Sequence, residues 1–131
     1  MRALKLSAAA GLIVLGLAGC ATPNTNEAFC NEYAAAWNEM TAARDSPTRT
    51  DATFVPARAS MLDRWEALSK DESAPEDVRK VVAMNVDLFT SAVSGTGTTA
   101  DTTAAYQKFQ VSHDALLKQC KDDGFSPDID E

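Results

Sequence analysis

The sequence predicts an all-α fold, an antiparallel up-down-up-down four-helix bundle closed by one disulfide between the first and fourth helices. Three observations predict it. Four stretches of similar length carry apolar residues at helical spacing. Short breaker segments, Asp45-Ser46-Pro47, Ser73-Ala74-Pro75 and the glycines Gly95 and Gly97, separate them. Two of the three cysteines, Cys30 and Cys120, fall at the outer ends of this series. A chain of 131 residues accommodates one domain, and a composition of 45% hydrophobic and 24% charged residues is too apolar for wholesale disorder.

The first helix is expected over residues 26–44. Asn24 and Glu27 have the spacing of a capping box, and Phe29, Tyr33, Trp37 and Met40 form an apolar stripe with Cys30 beside it. The second is expected over residues 52–70 with Asp51 as N-cap; Pro56 is tolerated only near a first turn, which draws the start toward Thr53–Val55. Its apolar face is Phe54, Met61, Leu62, Trp65 and Leu68. Ser73-Ala74-Pro75-Glu76 signals the third start, with Ser73 as N-cap and Glu76 completing a box. That helix continues through Val78, Val81, Val82, Val86, Leu88, Phe89 and Ala92 to about residue 93. The fourth starts near Asp101 or Thr102, passes Tyr106, Phe109, His113, Leu116, Leu117 and Cys120, and stops before Gly124. Residues 26–121 are thus the four-helix domain, and residues 122–131 read as an acidic flexible tail.

The cysteines check the helix count. Cys30 lies in about the first turn of helix one and Cys120 in the last turn of helix four. With an even number of antiparallel helices these ends share a pole. With an odd number they would stand a helix length apart, about 27 Å at roughly 1.5 Å per residue, beyond disulfide reach. Closing this loop would stabilise the fold by about 4.6 kcal/mol in the chain-entropy model. Two buried free thiols are the alternative that the same apolar surroundings would accommodate.

Residues 1–19 have the form of a cleaved signal peptide: Arg2 and Lys5 precede an uncharged, mostly apolar run too short to span a bilayer comfortably. Leu17-Ala18-Gly19-Cys20 then resembles the lipobox of bacterial lipoproteins, with Leu, two small residues and Cys in order. The resemblance implies that Cys20 is acylated on sulfur and becomes the first residue of the exported chain. It also implies anchoring to the outer face of the cell membrane, where two acyl chains hold stably and one does not. Residues 20–25 then form the lipidated cysteine and a tether reaching on the order of 12 Å. Loss of Arg2 and Lys5 takes the net charge from −7 to −9. An anionic bilayer would repel such a body, so the lipid must supply the attachment.

A second resemblance covers most of the exported part. Phe29-Cys30-x-x-Tyr33, the Pro75-Glu76-Asp77-Val78 helix start and the closing Cys120 look like small secreted helical proteins of actinobacteria, many of them lipoproteins without assigned activity. It implies the helical architecture and the cysteine pair, and assigns no functional residue.

Catalytic chemistry finds little footing. His113 and Asp114 are adjacent on a helix and point about 100° apart, so they do not form a dyad. His113 falls on the apolar stripe, which suits a core-edge histidine with a hydrogen-bond partner. No nucleophile elbow, zinc-binding histidine pair or phosphate-cradling glycine loop occurs. The acidic residues Asp71, Glu72, Glu76 and Asp77, like those of the tail, lack EF-hand spacing. No metal, cofactor or catalytic residue is therefore assigned, and a pI near 4.6 offers no basic footprint for nucleic acid.

The expected function is that of a non-enzymatic, lipid-anchored binding module for a protein or envelope component, the membrane being engaged through Cys20. Two loops fall at the pole away from the tether. They nominate Arg44, Arg49, Thr96, Thr98 and Thr99 as partner contacts, since loops on a rigid scaffold commonly carry recognition. The alternative is a small-ligand carrier that uses a bundle interior lined by the aromatic residues.

Overall fold

The structure, a computed structural model, describes residues 25–94 and 97–129. It is helical throughout, with no strand among the described residues: α1 (Glu27–Asp45), α2 (Asp51–Ser69), α3 (Glu76–Val93) and α4 (Thr99–Asp122). The signal-like segment, Cys20 and all of the tether but Thr25 lie outside the described residues, as do Gly95 and Thr96.

The elements are those expected, but their caps differ. Asn26 rather than Asn24 caps α1, its side chain accepting from the Phe29 amide at 2.8 Å. Thr50 rather than Asp51 caps α2, where the amides of Thr53 and Phe54 both bond to the Thr50 carbonyl. Helix α2 therefore begins earlier than Pro56 suggested, and the proline is its sixth residue. The missing proline N–H costs little there because Ala52, its would-be acceptor, is exposed to water along with Pro56. The Ser73–Glu76 box does not form. Pro75 holds the N-cap position of α3, the Ser73 amide bonds instead to Asp71 Oδ1 at 2.9 Å, and Glu76 pairs with Lys80. Helix α4 starts at Thr99 because Thr98 and Asp101 cap each other reciprocally, with the Asp101 amide donating to Thr98 Oγ1 and Thr98 Oγ1 to Asp101 Oδ2.

At the other end of α4, Gly124 adopts φ +96°, and the Phe125 amide reaches back to the Cys120 carbonyl while the Gly124 amide bonds that of Lys121. This is a Schellman ending, for which the left-handed residue is ordinarily glycine. It turns the chain back onto the bundle. Phe125 and Ile129 pack against the core, and Asn38 of α1 donates to the Asp128 carbonyl at 2.7 Å. The segment expected as a flexible tail thus makes specific contacts as far as Ile129, because two of its side chains are apolar enough to gain by burial.

The core contains the expected stripe residues Phe29, Tyr33, Trp37, Met61, Trp65, Val78, Val82, Phe89, Phe109 and Leu116. Tyr106, expected among them, is exposed, and Phe54 is only half-buried. Packing is extensive between α1 and α2, between α2 and α3, and above all between α3 and α4, whereas α1 touches α4 sparsely. A disulfide between Cys30 and Cys120, with Cα atoms 5.9 Å apart, joins that last pair. Near it, the Thr25 amide and hydroxyl both donate to Asp123 Oδ2, at 3.0 and 2.7 Å, and Asn26 Nδ2 donates to the Ser73 carbonyl. On the opposite face of α1, Arg64 of α2 forms a bidentate pair with Glu32 and a further contact with Glu39.

Reduction of the disulfide, or its replacement by Cys30→Ala with Cys120→Ala, is expected to lower unfolding stability by about 4–5 kcal/mol. Urea denaturation of the oxidised and reduced protein, followed by circular dichroism, measures this.

Candidate functional site

Among the described residues, the interior holds a polar arrangement built by three helices. Tyr33 lies one turn after Cys30 on α1, His113 two turns before Cys120 on α4, and Asn85 two turns after Val78 on the buried stripe of α3. Asn85 Nδ2 donates to the Tyr33 hydroxyl oxygen at 2.9 Å, and that hydroxyl lies 2.8 Å from His113 Nδ1. Since the oxygen already accepts from Asn85, its single hydrogen is free to point at the imidazole. Nδ1 is then the acceptor, and the ring proton sits on Nε2. Nε2 itself has no hydrogen-bond partner among the described residues.

Aromatic rings hold this arrangement in place. The Tyr33 ring stacks on Trp65 at a centroid distance of 4.4 Å, and Trp65 Nε1 donates to the Tyr33 carbonyl at 3.1 Å. Trp37 lies 4.5 Å and Phe109 5.3 Å from the imidazole, ring centre to ring centre. Burial in these surroundings pushes His113 down to about 4, against the opposing field of Asp114, and pushes the Tyr33 phenol well above its ordinary value. At neutral pH both are uncharged, and His113 is a fixed dipole rather than a proton carrier.

An open groove of about 860 Å³ runs along the outside of this cluster, between α4, α1 and the returning segment 126–129. Its lining includes Trp37, Phe109, His113 and Leu117. Tyr106 and Arg44 also border it, together with Lys118, Lys121, Asp114 and Asp128. The sparse contact between α1 and α4 leaves this side of the bundle open. The bundle interior, by contrast, is filled by the rings of Phe29, Tyr33, Trp65 and Phe109, each almost wholly removed from solvent.

The residues nominated from sequence are distributed unevenly about this geometry. Cys30 and Cys120 are bonded to each other, while Cys20 and Thr96 fall outside the described residues. Arg44 borders the groove and pairs with Asp45 at 2.7 Å. Arg49 instead lies over the Phe54 ring at 4.3 Å. Thr98 caps α4, and the Thr99 carbonyl accepts from Thr103 Oγ1, so both serve the helix start. His113 has the hydrogen-bond partner expected of a core-edge histidine, and Asp114 is exposed beside it. Sequence reasoning missed Asn85. Its signal is a polar residue on the stripe Val78, Val82, Asn85, Phe89, where only a partnered side chain is tolerated. Missed as well was the contribution of residues 126–129 to a groove wall.

Among the described residues, no group of three or more His, Cys, Asp or Glu side chains is placed to hold a metal ion, and no helix is long and apolar enough to cross a membrane. No protein-family model matches the chain, and no curated protein or solved structure is detectably similar to it.

Two outcomes are expected of the buried chain. Tyr33→Phe keeps the ring but strands Asn85 Nδ2 and His113 Nδ1, and should cost about 2–3 kcal/mol in urea denaturation with the helical spectrum retained. For His113, the unfolded chain takes up a proton near 6.5 and the folded one only near 4. The unfolded state therefore binds more protons between these values. The contribution of His113 is complete above about pH 6.5 and falls as pH drops toward 4, by about 3 kcal/mol in all. Since this is the chain's single histidine, NMR of its ring protons reads the midpoint directly.

Proposed function

We propose that this chain is a lipid-anchored lipoprotein of the cell envelope whose helical domain acts by binding rather than by catalysis. The observation that carries the reading is Leu17-Ala18-Gly19-Cys20 placed directly behind a charged start and an uncharged apolar run. Acylation of Cys20 would fasten an acidic domain to a surface that repels it, through a tether of a few residues. The domain itself is an antiparallel up-down-up-down bundle. This arrangement is supported by the contacts of Thr25 with Asp123, Asn26 with Ser73 and Cys30 with Cys120, which gather the start of α1, the α2–α3 turn and the end of α4 near one pole.

Binding is favoured over catalysis because burial lowers His113 to about 4, which makes it a weak base near neutrality, and one ring nitrogen is committed to Tyr33. A carrier function in the bundle interior finds less support, since aromatic rings occupy that space; the groove outside it is the better candidate surface. The partner is a protein or envelope component, and Arg44, nominated from a loop but placed in the last turn of α1, borders the groove.

Mass spectrometry of the protein extracted from membranes should find a chain beginning at Cys20 with acyl groups attached, and Cys20→Ala should shift the protein out of the membrane fraction. A product that retains Met1 to Gly19 without acylation would falsify the proposal.

A further inference from the structure

We propose that the groove between α1, α4 and segment 126–129 binds a small aromatic monocarboxylate, its carboxylate received by His113 Nε2–H and its flat apolar body lying along Tyr106 and the groove-side rim of Trp37. This deepens the reading of the domain as a binding module and is independent of the lipid anchor.

The first argument is a hydrogen bond without a partner. His113 is 5% exposed, yet it lines the groove, and its Nε2 has no protein acceptor. Asn85 and Tyr33 fix the proton on that nitrogen by satisfying the other one from within. The result is a rigidly held N–H donor on a ring that borders the groove, where an acceptor oxygen can meet it.

The second argument is charge. In a chain of net charge −7, the groove lining carries three cations and two carboxylates, a local surplus of one positive charge. Arg44 and Lys118 already have carboxylate partners in Asp45 and Asp122, whereas Lys121 makes no ion pair among the described residues. Lys121 lies on the same row of α4 as His113 and Leu117, and its stem leans back toward them. One unpaired cation suits one negative charge, and Asp114 and Asp128 would repel a multiply charged ligand such as a phosphate ester.

The third argument is shape. Tyr106, 38% exposed, and the rim of Trp37 border an open trough of about 860 Å³, ample for a two-ring molecule, with Phe109 buried behind them. Rings stack on rings with more than their buried area alone supplies.

The test uses 2-naphthoate, with 2-naphthalenemethanol as its uncharged counterpart. The intact protein is titrated calorimetrically in lipid nanodiscs if it is acylated and in buffer if it is not, so a failed anchor and a failed site read out separately. Naphthoate should bind at least about tenfold more tightly than the alcohol, as a charge-assisted hydrogen bond requires. Lys121→Ala, a surface change that leaves the fold alone, should remove at least threefold of that preference. Nitrogen-15 NMR of the single histidine should show the Nε2–H tautomer in the free protein and a shift of that resonance on binding. An Nδ1–H tautomer, equal affinity for the two compounds, or binding that leaves the His113 resonance unmoved would each overturn the proposal.

Discussion

The covalent bond between Cys30 and Cys120 sets the one helix pair that packing alone leaves underdetermined. Helices α3 and α4, and likewise α1 and α2, are joined by broad apolar contact, whereas α1 and α4 meet sparsely. With Cα atoms held 5.9 Å apart, the start of α1 and the end of α4 have a defined separation and a defined register. Tyr33 stands one turn from one cysteine and His113 two turns from the other, so the register that joins the sulfurs also brings the phenol within 2.8 Å of the imidazole. Thr25 and Asp123 add a polar clasp beside the sulfurs.

Farther from the disulfide, the same sparse contact has the opposite consequence. The α1–α4 seam opens into a groove with Trp37 and His113 along it, and the chain closes one side by turning back at Gly124. The Schellman ending, the burial of Phe125 and Ile129, and the Asn38–Asp128 hydrogen bond act together here. An acidic C-terminal segment that composition alone would leave in water becomes a wall. The buried polar chain of Asn85, Tyr33 and His113 fits this picture, because it orients the one imidazole nitrogen that is left over. The chain leaves a second atom over, Asn85 Oδ1, which is buried without a hydrogen-bond partner.

Much of this was legible in the order of residues. Helical periodicity located all four helices, and the apolar stripes named most of the buried side chains, because a 3.6-residue repeat dictates which positions share a face. The helix starts were less legible. Ser73 and Asp51 are good capping residues by type, yet Pro75 and Thr50 hold those positions. Which of several adjacent polar residues caps a helix depends on how the preceding turn enters it, and that is set by packing. Tyr106 and Phe54 have core spacing, yet Tyr106 is exposed beside the groove and Phe54 is half-buried with Arg49 over its ring.

By itself the sequence determined the helix count, the stripes and the cysteine positions, all consequences of local periodicity and covalent chemistry. It also supplied the signal-like start and lipobox from which the proposed anchor is drawn. Only the tertiary structure decided that Asn85 reaches Tyr33, that Tyr33 reaches His113, and that residues 126–129 return to face α4. These pairings join residues as far as 80 positions apart, and no local pattern encodes a contact between faces whose separation and rotation are decided by how three helices and a disulfide pack together.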